Sequence, residues 1–419
     1  MPLGPEEIEE EERAFQKVVI TFQQYASYAI AANNRRRKDI YTLPRADQEL
    51  LSNLGYKQKL AEVDKAILAN AEFLSQIVAN TQMFGGNGHE GELNEEEGEE
   101  DEDQHEHQHA GPSHTHSHPH GHGGHSHDHG GHSHSHGHPS GQRGVIRPTD
   151  ADMDKLRSTI KQFVRDWSEE GKVERDACYK PMIDALLEHF KDMSEHDRTK
   201  LRVLVPGAGL CRLAWDVAKQ GFACQGNEFS HYMLLGSFFV LNRTEEINQY
   251  TIYPYIHTFS NIRDKSALLR AVSFPDVSPS SLPPNSNFSL VAGDFEEIYG
   301  CELGDEDPDE PQSGLFNAIL TCFFIDTAKN IINYLRVIHR KLATGGVWIN
   351  LGPLLWHWEN NTSGDPSIEL SLDELKVLAR NIGFEISNEK EIETTYTNNS
   401  QSMLGYVYHA GFFTATKVE

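Results

Sequence analysis

Cysteine is scarce in this chain, five in 419 residues: Cys178, Cys211, Cys224, Cys301 and Cys322. The number is odd and no pair has Cys-x-x-Cys spacing, which excludes a small disulfide scaffold and fits a reducing compartment. Basic residues are short too: 37 Lys and Arg face 63 Asp and Glu, for a formal charge of −26. A protein that grips nucleic-acid backbones needs a concentrated basic surface, and none is present. The one basic run, "RRRK" at Arg35 to Lys38, is expected to cap the C-terminal end of a helix. No run of about 20 apolar residues exists to span a bilayer. The first twelve residues are acidic rather than basic-then-apolar, unlike a secretory leader. These absences read as a soluble cytoplasmic protein, with the nucleus as a further location and neither nucleic acid nor membrane as partner.

What is abundant is unevenly placed. Between Gly85 and Gly144 stand twelve Asp/Glu, one Arg and sixteen of the 23 His. That stretch has almost no apolar side chains to offset the entropy of ordering, so 85–148 reads as a disordered acidic and His-rich insert. Its His-x-His repeats can chelate a metal but lack the fixed spacing of a structural zinc site, and no metal is assigned to the protein. Residues 1–84 read differently. Phe15, Val18, Val19, Phe22, Ala26, Ala29 and Ile30 form one helical stripe, and Leu60, Val63, Ile67, Ala71, Leu74, Ile77 and Val78 a second. Two amphipathic helices joined through a proline-containing connector predict a helical hairpin packed on a larger body.

From Thr149 onward the pattern is that of a single α/β domain, 149–419. A helix opens at Thr149 or Asp150, and Pro181 is placed to open another. "RVLVP", "FACQGNE", "FSLVAGD", "FNAILTCFF" and "GGVWINLG" read as strands alternating with helices. That rhythm predicts a mostly parallel sheet covered on both faces, with 402–416 as a late antiparallel strand.

The chemistry concentrates at the ends of those strands. In "VPGAGLCR", Gly207 and Gly209 lie between a buried strand and a helix start, where glycine lets the backbone turn tightly beside a ligand. Glu228 stands 19 residues past Gly209, at the end of the next strand, placed to accept both hydroxyls of a ribose. "AGDFEE" ends a third strand: Asp294 can accept from an adenine amino group and Phe295 can pack on the ring. Glycine, acid and acid on three strand ends make an adenosine site. A dinucleotide fingerprint wants a third glycine three residues past the second; that position is Arg212, and no second nucleotide-binding half follows. S-adenosylmethionine is therefore favoured over a nicotinamide cofactor.

"LVPGAGLCRLAWDVA", "GNEFSHYMLLGSFFVLN", "SNFSLVAGDFEEIY", "TCFFIDTAKNIINYL" and "INLGPLLWHWEN" closely resemble the carnosine N-methyltransferase family, densely over 149–419 and more loosely upstream. The resemblance implies a Rossmann-like, seven-stranded class I methyltransferase fold with an N-terminal helical extension. It also implies methyl transfer from S-adenosylmethionine to the imidazole of carnosine, giving anserine. Carried onto this chain, it assigns cofactor contacts to Gly207, Gly209, Glu228, Asp294, Phe295 and Cys322, with Gln162 and Arg165 at the methionine end. Asp326, His357 and Tyr408 match the substrate contacts. Two features depart from the family: Cys211 stands where "GAGLGR" would carry glycine, and the His-rich insert is an addition.

The reaction needs an unprotonated imidazole nitrogen in line with the S–CH3 bond. An imidazole of pKa about 6.5 is mostly neutral near pH 7, so the requirement is the right tautomer. For the nitrogen nearer the side-chain stem to attack, the other must hold the proton against an acceptor. Asp326 or His357 is expected to accept it, and Tyr408 to position the ring. A small-molecule substrate is expected, and a homodimer is compatible with the sequence. Rival readings are a protein-histidine methyltransferase and a non-enzymatic His-rich metal-binding protein. Deleting 86–144 separates the latter: an enzyme keeps turnover.

Overall fold

The structure, a computed structural model, describes residues 4–79, 146–283, 286–301, 307 and 309–418. The insert expected at 85–148 lies outside the described residues except for its last three. Helices run α1 Pro5–Thr42, α2 Arg45–Asn53, α3 Tyr56–Val78, α4 Asp150–Trp167, α5 Lys172–His189, α6 Glu195–Arg198, α7 Arg212–Lys219, α8 His231–Arg243, α9 Lys265–Leu268, α10 Phe295–Tyr299, α11 Ile331–Lys341 and α12 Leu372–Ile382. Strands are β1 Arg202–Pro206, β2 Ala223–Glu228, β3 Tyr250–Ile252, β4 Val272–Phe274, β5 Phe288–Ala292, β6 Phe316–Cys322, β7 Leu342–Gly352, β8 Phe384–Thr394 and β9 Tyr408–Lys417.

Seven strands form one sheet in the order β5-β2-β1-β6-β7-β9-β8, and β3 with β4 makes a separate two-stranded ribbon. The neighbours β5, β2, β1, β6 and β7 pair in parallel, whereas β9 is antiparallel to both β7 and β8. The mostly parallel sheet read from the sequence is therefore present. Its topology has a consequence for function: five carboxyl ends share one edge, and β9 enters the sheet at that same edge through Tyr408. Open α/β sheets hold their ligands there.

The N-terminal helices pack on this body through α4. Phe22, Tyr25, Phe73 and Leu74 are buried in one apolar cluster with Phe163 and Phe239. The Phe73 ring centroid lies 5.3 Å from that of Phe163 and 5.6 Å from that of Phe239, both edge-on. A polar tie joins them: Tyr25 Oη pairs with His257 Nε2 at 2.7 Å, and Asn70 Nδ2 donates to Tyr25 Oη at 3.0 Å. The hairpin thus backs the helix that carries Gln162 and Arg165.

Two local expectations are corrected. "RRRK" lies inside α1 rather than at its end: Arg37 pairs with Asp64 of α3, and Arg36 sits over the Phe259 ring at 4.0 Å. Pro181 lies inside α5, which starts nine residues earlier at Lys172. Tertiary anchoring sets that start. Arg175 Nη1 donates to the carbonyls of Arg165 at 2.7 Å and Ser168 at 2.8 Å, capping the end of α4. Thr149 proves to be the N-cap of α4, in a reciprocal box with Asp152.

Candidate functional site

The β1 tip turns through Gly207 (φ 63°), Gly209 (φ 55°) and Cys211 (φ 63°), three left-handed residues in five. Gly207 has no room for a side chain, since a Cβ there would stand 2.6 Å from Cδ2 of Phe324. The turn is fixed from below by Trp167, whose Nε1 donates to Leu210 O at 2.9 Å. Arg212 adds a second tie, donating to Asp166 O at 2.8 Å and Asp276 Oδ1 at 2.7 Å. Cys211 does not crowd the upper face of the turn. Its side chain is fully buried in the core beneath, with Sγ 3.5 Å from where a Cβ on Gly226 would sit. Glycine at 226 therefore leaves the space that cysteine at 211 fills.

Glu228 closes β2 under this turn. Its Oε2 accepts from Gly209 N at 2.8 Å, and Oε1 accepts from Phe229 N at 2.9 Å and Ser230 N at 2.8 Å. Burial raises its carboxyl above the usual range while those amides pull it down. Gly293 N donates to Glu228 O at 2.9 Å, which brings Asp294 alongside. Asp294 caps α10, Oδ1 accepting from Glu296 N at 2.8 Å. The ring of Phe295 is buried against Tyr299, Phe324 and Tyr334, centroids 5.6, 5.3 and 5.2 Å away.

On the other side of the turn, α4 presents Gln162 and Arg165, both buried. Gln162 Nε2 donates to Asp166 Oδ2 at 3.0 Å, and a Cβ on Gly209 would lie 3.6 Å from that same nitrogen. Arg165 pairs with Asp166 at 3.0 Å and with Glu174 at 2.9 Å, and also donates to Tyr179 Oη. Its guanidinium carbon sits 4.6 Å from the centre of the Tyr396 ring. Arg165 Nη2 is buried and has no hydrogen-bond partner among the described residues. An orphan guanidinium donor beside a left-handed glycine turn is a ready seat for a carboxylate.

The β6 tip carries the third group. Cys322 ends the strand, its thiol pushed up by burial, and Phe323 follows with φ 52°, an uncommon conformation for a bulky residue. That turn aims the Phe323 ring at Tyr396 and Tyr408, centroids 4.9 and 5.6 Å away. It also buries Asp326, which is 3 % exposed. Asp326 Oδ2 accepts from Leu355 N at 3.0 Å, and Asp326 O accepts from His357 N at 3.1 Å. Burial raises the Asp326 carboxyl to about 7, with the Leu355 amide opposing. Tyr408 lies within its field: the phenol is raised first by burial, then by the charges of Asp326 and Glu174.

Phe324 and Tyr334 join the two halves. Phe324 underlies Gly207 and stacks on Tyr334 at 5.2 Å, and the Tyr334 phenol feels the charges of both Asp294 and Asp326. Glycine turn, Glu228, Asp294, Asp326, His357 and Tyr408 thus share one sheet edge. Sequence reasoning missed Asp166, Glu174, Tyr179, Phe323 and Tyr396. Of these, only Asp166 carried a local signal, one turn beyond Gln162 on the same helix. Among the described residues no group of three His, Cys, Asp or Glu could hold a metal ion, and no helix is long and apolar enough to cross a membrane.

A family model described as carnosine N-methyltransferase matches residues 142–419. The carnosine N-methyltransferase of Mus musculus is 52% identical over 276 residues, covering 65% of this chain and 66% of that protein, just under two thirds of its length. That of Schizosaccharomyces pombe is 46% identical over 270 residues, covering 62% of this chain and 70% of that protein. That of Dictyostelium discoideum is 34% identical over 412 residues, covering 95% of this chain and 75% of that protein.

Proposed function

This chain belongs to the carnosine N-methyltransferase family, and from that premise we propose that it transfers a methyl group from S-adenosylmethionine to the imidazole of carnosine, giving anserine. The observation that carries this reading is the family match across 142–419, the span that holds every residue of the cleft.

The residues present fit the cofactor. Gly207 and Gly209 allow close backbone approach, Glu228 suits the ribose hydroxyls and Asp294 the adenine amino group. The orphan Nη2 of Arg165, with Gln162 beside it, suits the methionine carboxylate. When bound, the cofactor supplies an electrophilic methyl on a sulfonium. The chain has to present a neutral imidazole with one chosen nitrogen free.

Asp326 is the group we assign to that choice. Its carboxylate accepts the N–H of the ring nitrogen far from the side-chain stem, which leaves the near nitrogen with its lone pair exposed. Methylation of the near nitrogen would leave the ring cationic and the cofactor as neutral S-adenosylhomocysteine, its S–CH3 bond electrons retained on sulfur, and Asp326 would take the proton from the far nitrogen. A carboxyl at about 7 is matched to an imidazole for that transfer. An aspartate in water, near 3.8, would be a far weaker acceptor. Burial also strengthens the attraction between the carboxylate and the developing imidazolium. Tyr408, edge-on to Phe323, would position the ring, and His357 is tied to Asp326 O through its amide.

The test is a substrate panel. Purified protein is incubated with methyl-labelled S-adenosylmethionine and carnosine, free histidine, other histidine dipeptides, or a histidine-containing protein. The reading expects the highest kcat/KM on carnosine and related dipeptides. Transfer to the protein histidine alone overturns it.

A further inference from the structure

Beside the imidazole site lies a cavity of about 400 Å³ between α4, the start of α5 and the segment that follows β8. Its walls include Lys161, Arg165, Glu174, Tyr255, Thr394 and Val407. It adjoins the proposed reaction centre through two of them. Thr394 is the cross-strand partner of Tyr408, and the Glu174 charge acts on the Tyr408 phenol. An imidazole held at Asp326 and Tyr408 would therefore have room for the rest of its molecule on this side.

The cavity has more donors than its acceptors use. Glu174 accepts from Thr395 Oγ1 at 2.7 Å, Thr397 N at 2.8 Å and Asn398 N at 3.2 Å, besides its ion pair with Arg165 at 2.9 Å. Glu170, also in the wall, accepts from Tyr255 Oη at 2.9 Å and Arg270 Nη2 at 2.6 Å. Glu393, the remaining carboxylate, is exposed at the rim and faces His409 at 3.7 Å. Lys161 stands apart from these. It sits one turn before Arg165 on α4, half-buried, and its ammonium has no hydrogen bond or ion pair among the described residues. Burial holds it below the ordinary lysine range, Asp154 opposing and Arg157 adding to that. A half-buried cation without a partner, at the wall of a cavity whose inner carboxylates Glu170 and Glu174 are already bound, is a site in want of an anion.

Resting on the proposed activity, we infer that this cavity receives the substrate's carboxylate and that Lys161 is the residue that reads it. The dipeptide would lie with its imidazole at Asp326 and its carboxylate toward Lys161. Lys161 would act on substrate affinity and leave the methyl-transfer step to Asp326.

The test pairs a variant with a substrate that lacks the group in question. Carnosine and β-alanylhistamine, the same amine without the carboxylate, are compared in steady state with the parent, Lys161→Gln and Lys161→Arg. For the parent, KM should be about ten- to a hundred-fold lower for carnosine. Lys161→Gln should remove most of that preference by raising KM for carnosine, with kcat and the KM for β-alanylhistamine within about twofold. Lys161→Arg should keep the preference to within about threefold. Equal KM values in the parent, or a change in Lys161→Gln that is the same for both substrates, overturns the inference. A parent that turns over neither substrate while binding S-adenosylhomocysteine instead contradicts the proposed activity.

Discussion

Replacing Asp326 by asparagine should make the protein more stable and inactive at once. The carboxyl is 3 % exposed and burial raises it from 3.8 to about 7. Between those values the folded state binds more protons than the unfolded one, so stability falls as pH rises through that window. Below pH ~4 the group costs nothing; above about 7 its full penalty applies. Three units at about 1.4 kcal/mol each come to about 4 kcal/mol. Asparagine carries no charge to bury and keeps an oxygen for Leu355 N. Asp326→Asn should therefore gain about 2 kcal/mol at pH 5.5 and up to about 4 kcal/mol at pH 8.5. Urea denaturation of parent and variant at the two pH values measures this, and turnover of carnosine in parallel should fall at least about 100-fold. A variant less stable than the parent at pH 8.5, or a difference that does not grow with pH, refutes the assignment of a buried, costly carboxylate.

The parent's kcat/KM for carnosine should rise from pH 6 to 8 and then level, because Asp326 at about 7 and the substrate imidazole must both be unprotonated; a flat profile contradicts this. Glu228→Ala releases three backbone amides and should cost about 1–3 kcal/mol of stability and at least about tenfold in S-adenosylhomocysteine affinity, read by denaturation and calorimetry. Gly207→Ala must place a Cβ 2.6 Å from Phe324 at a φ of 63° and should lose cofactor binding. Gly209→Ala, whose Cβ would meet nothing nearer than 3.6 Å, should lose less in the same titration. Cys211→Gly relieves a left-handed residue, worth about 1–2 kcal/mol, but empties a buried space of similar worth. Its stability should stay within about 1.5 kcal/mol of the parent, with turnover unchanged.

The parallel strands and the glycine turn were legible because their signals are local. "RVLVP" is a buried run bounded by a turn, and Gly207, Gly209 and Glu228 are related by a short span of chain. β8 was not legible: its outer edge leaves most of "FEISNEKEIET" exposed, so no run or alternation marks it. Pro181 misled because the start of α5 is set by Arg175 bonding to the end of α4, a contact no helix signal encodes. The packing of Phe295 was not legible either, because it is set by Tyr299, one turn on, against its ring. The partners of Arg165 were hidden for the same reason. Tyr179 lies on the next helix and Tyr396 past the sixth strand of the sheet by sequence, and only the folded chain brings them round one guanidinium.

The most direct measurement is where a labelled methyl group ends up. Carnosine treated with the protein and carbon-13 methyl S-adenosylmethionine should yield one product by NMR, labelled on the ring nitrogen nearer the side-chain stem, with one S-adenosylhomocysteine formed per label. Label on the far nitrogen or on the terminal amine, or no labelled dipeptide from protein that binds S-adenosylhomocysteine, would contradict the account.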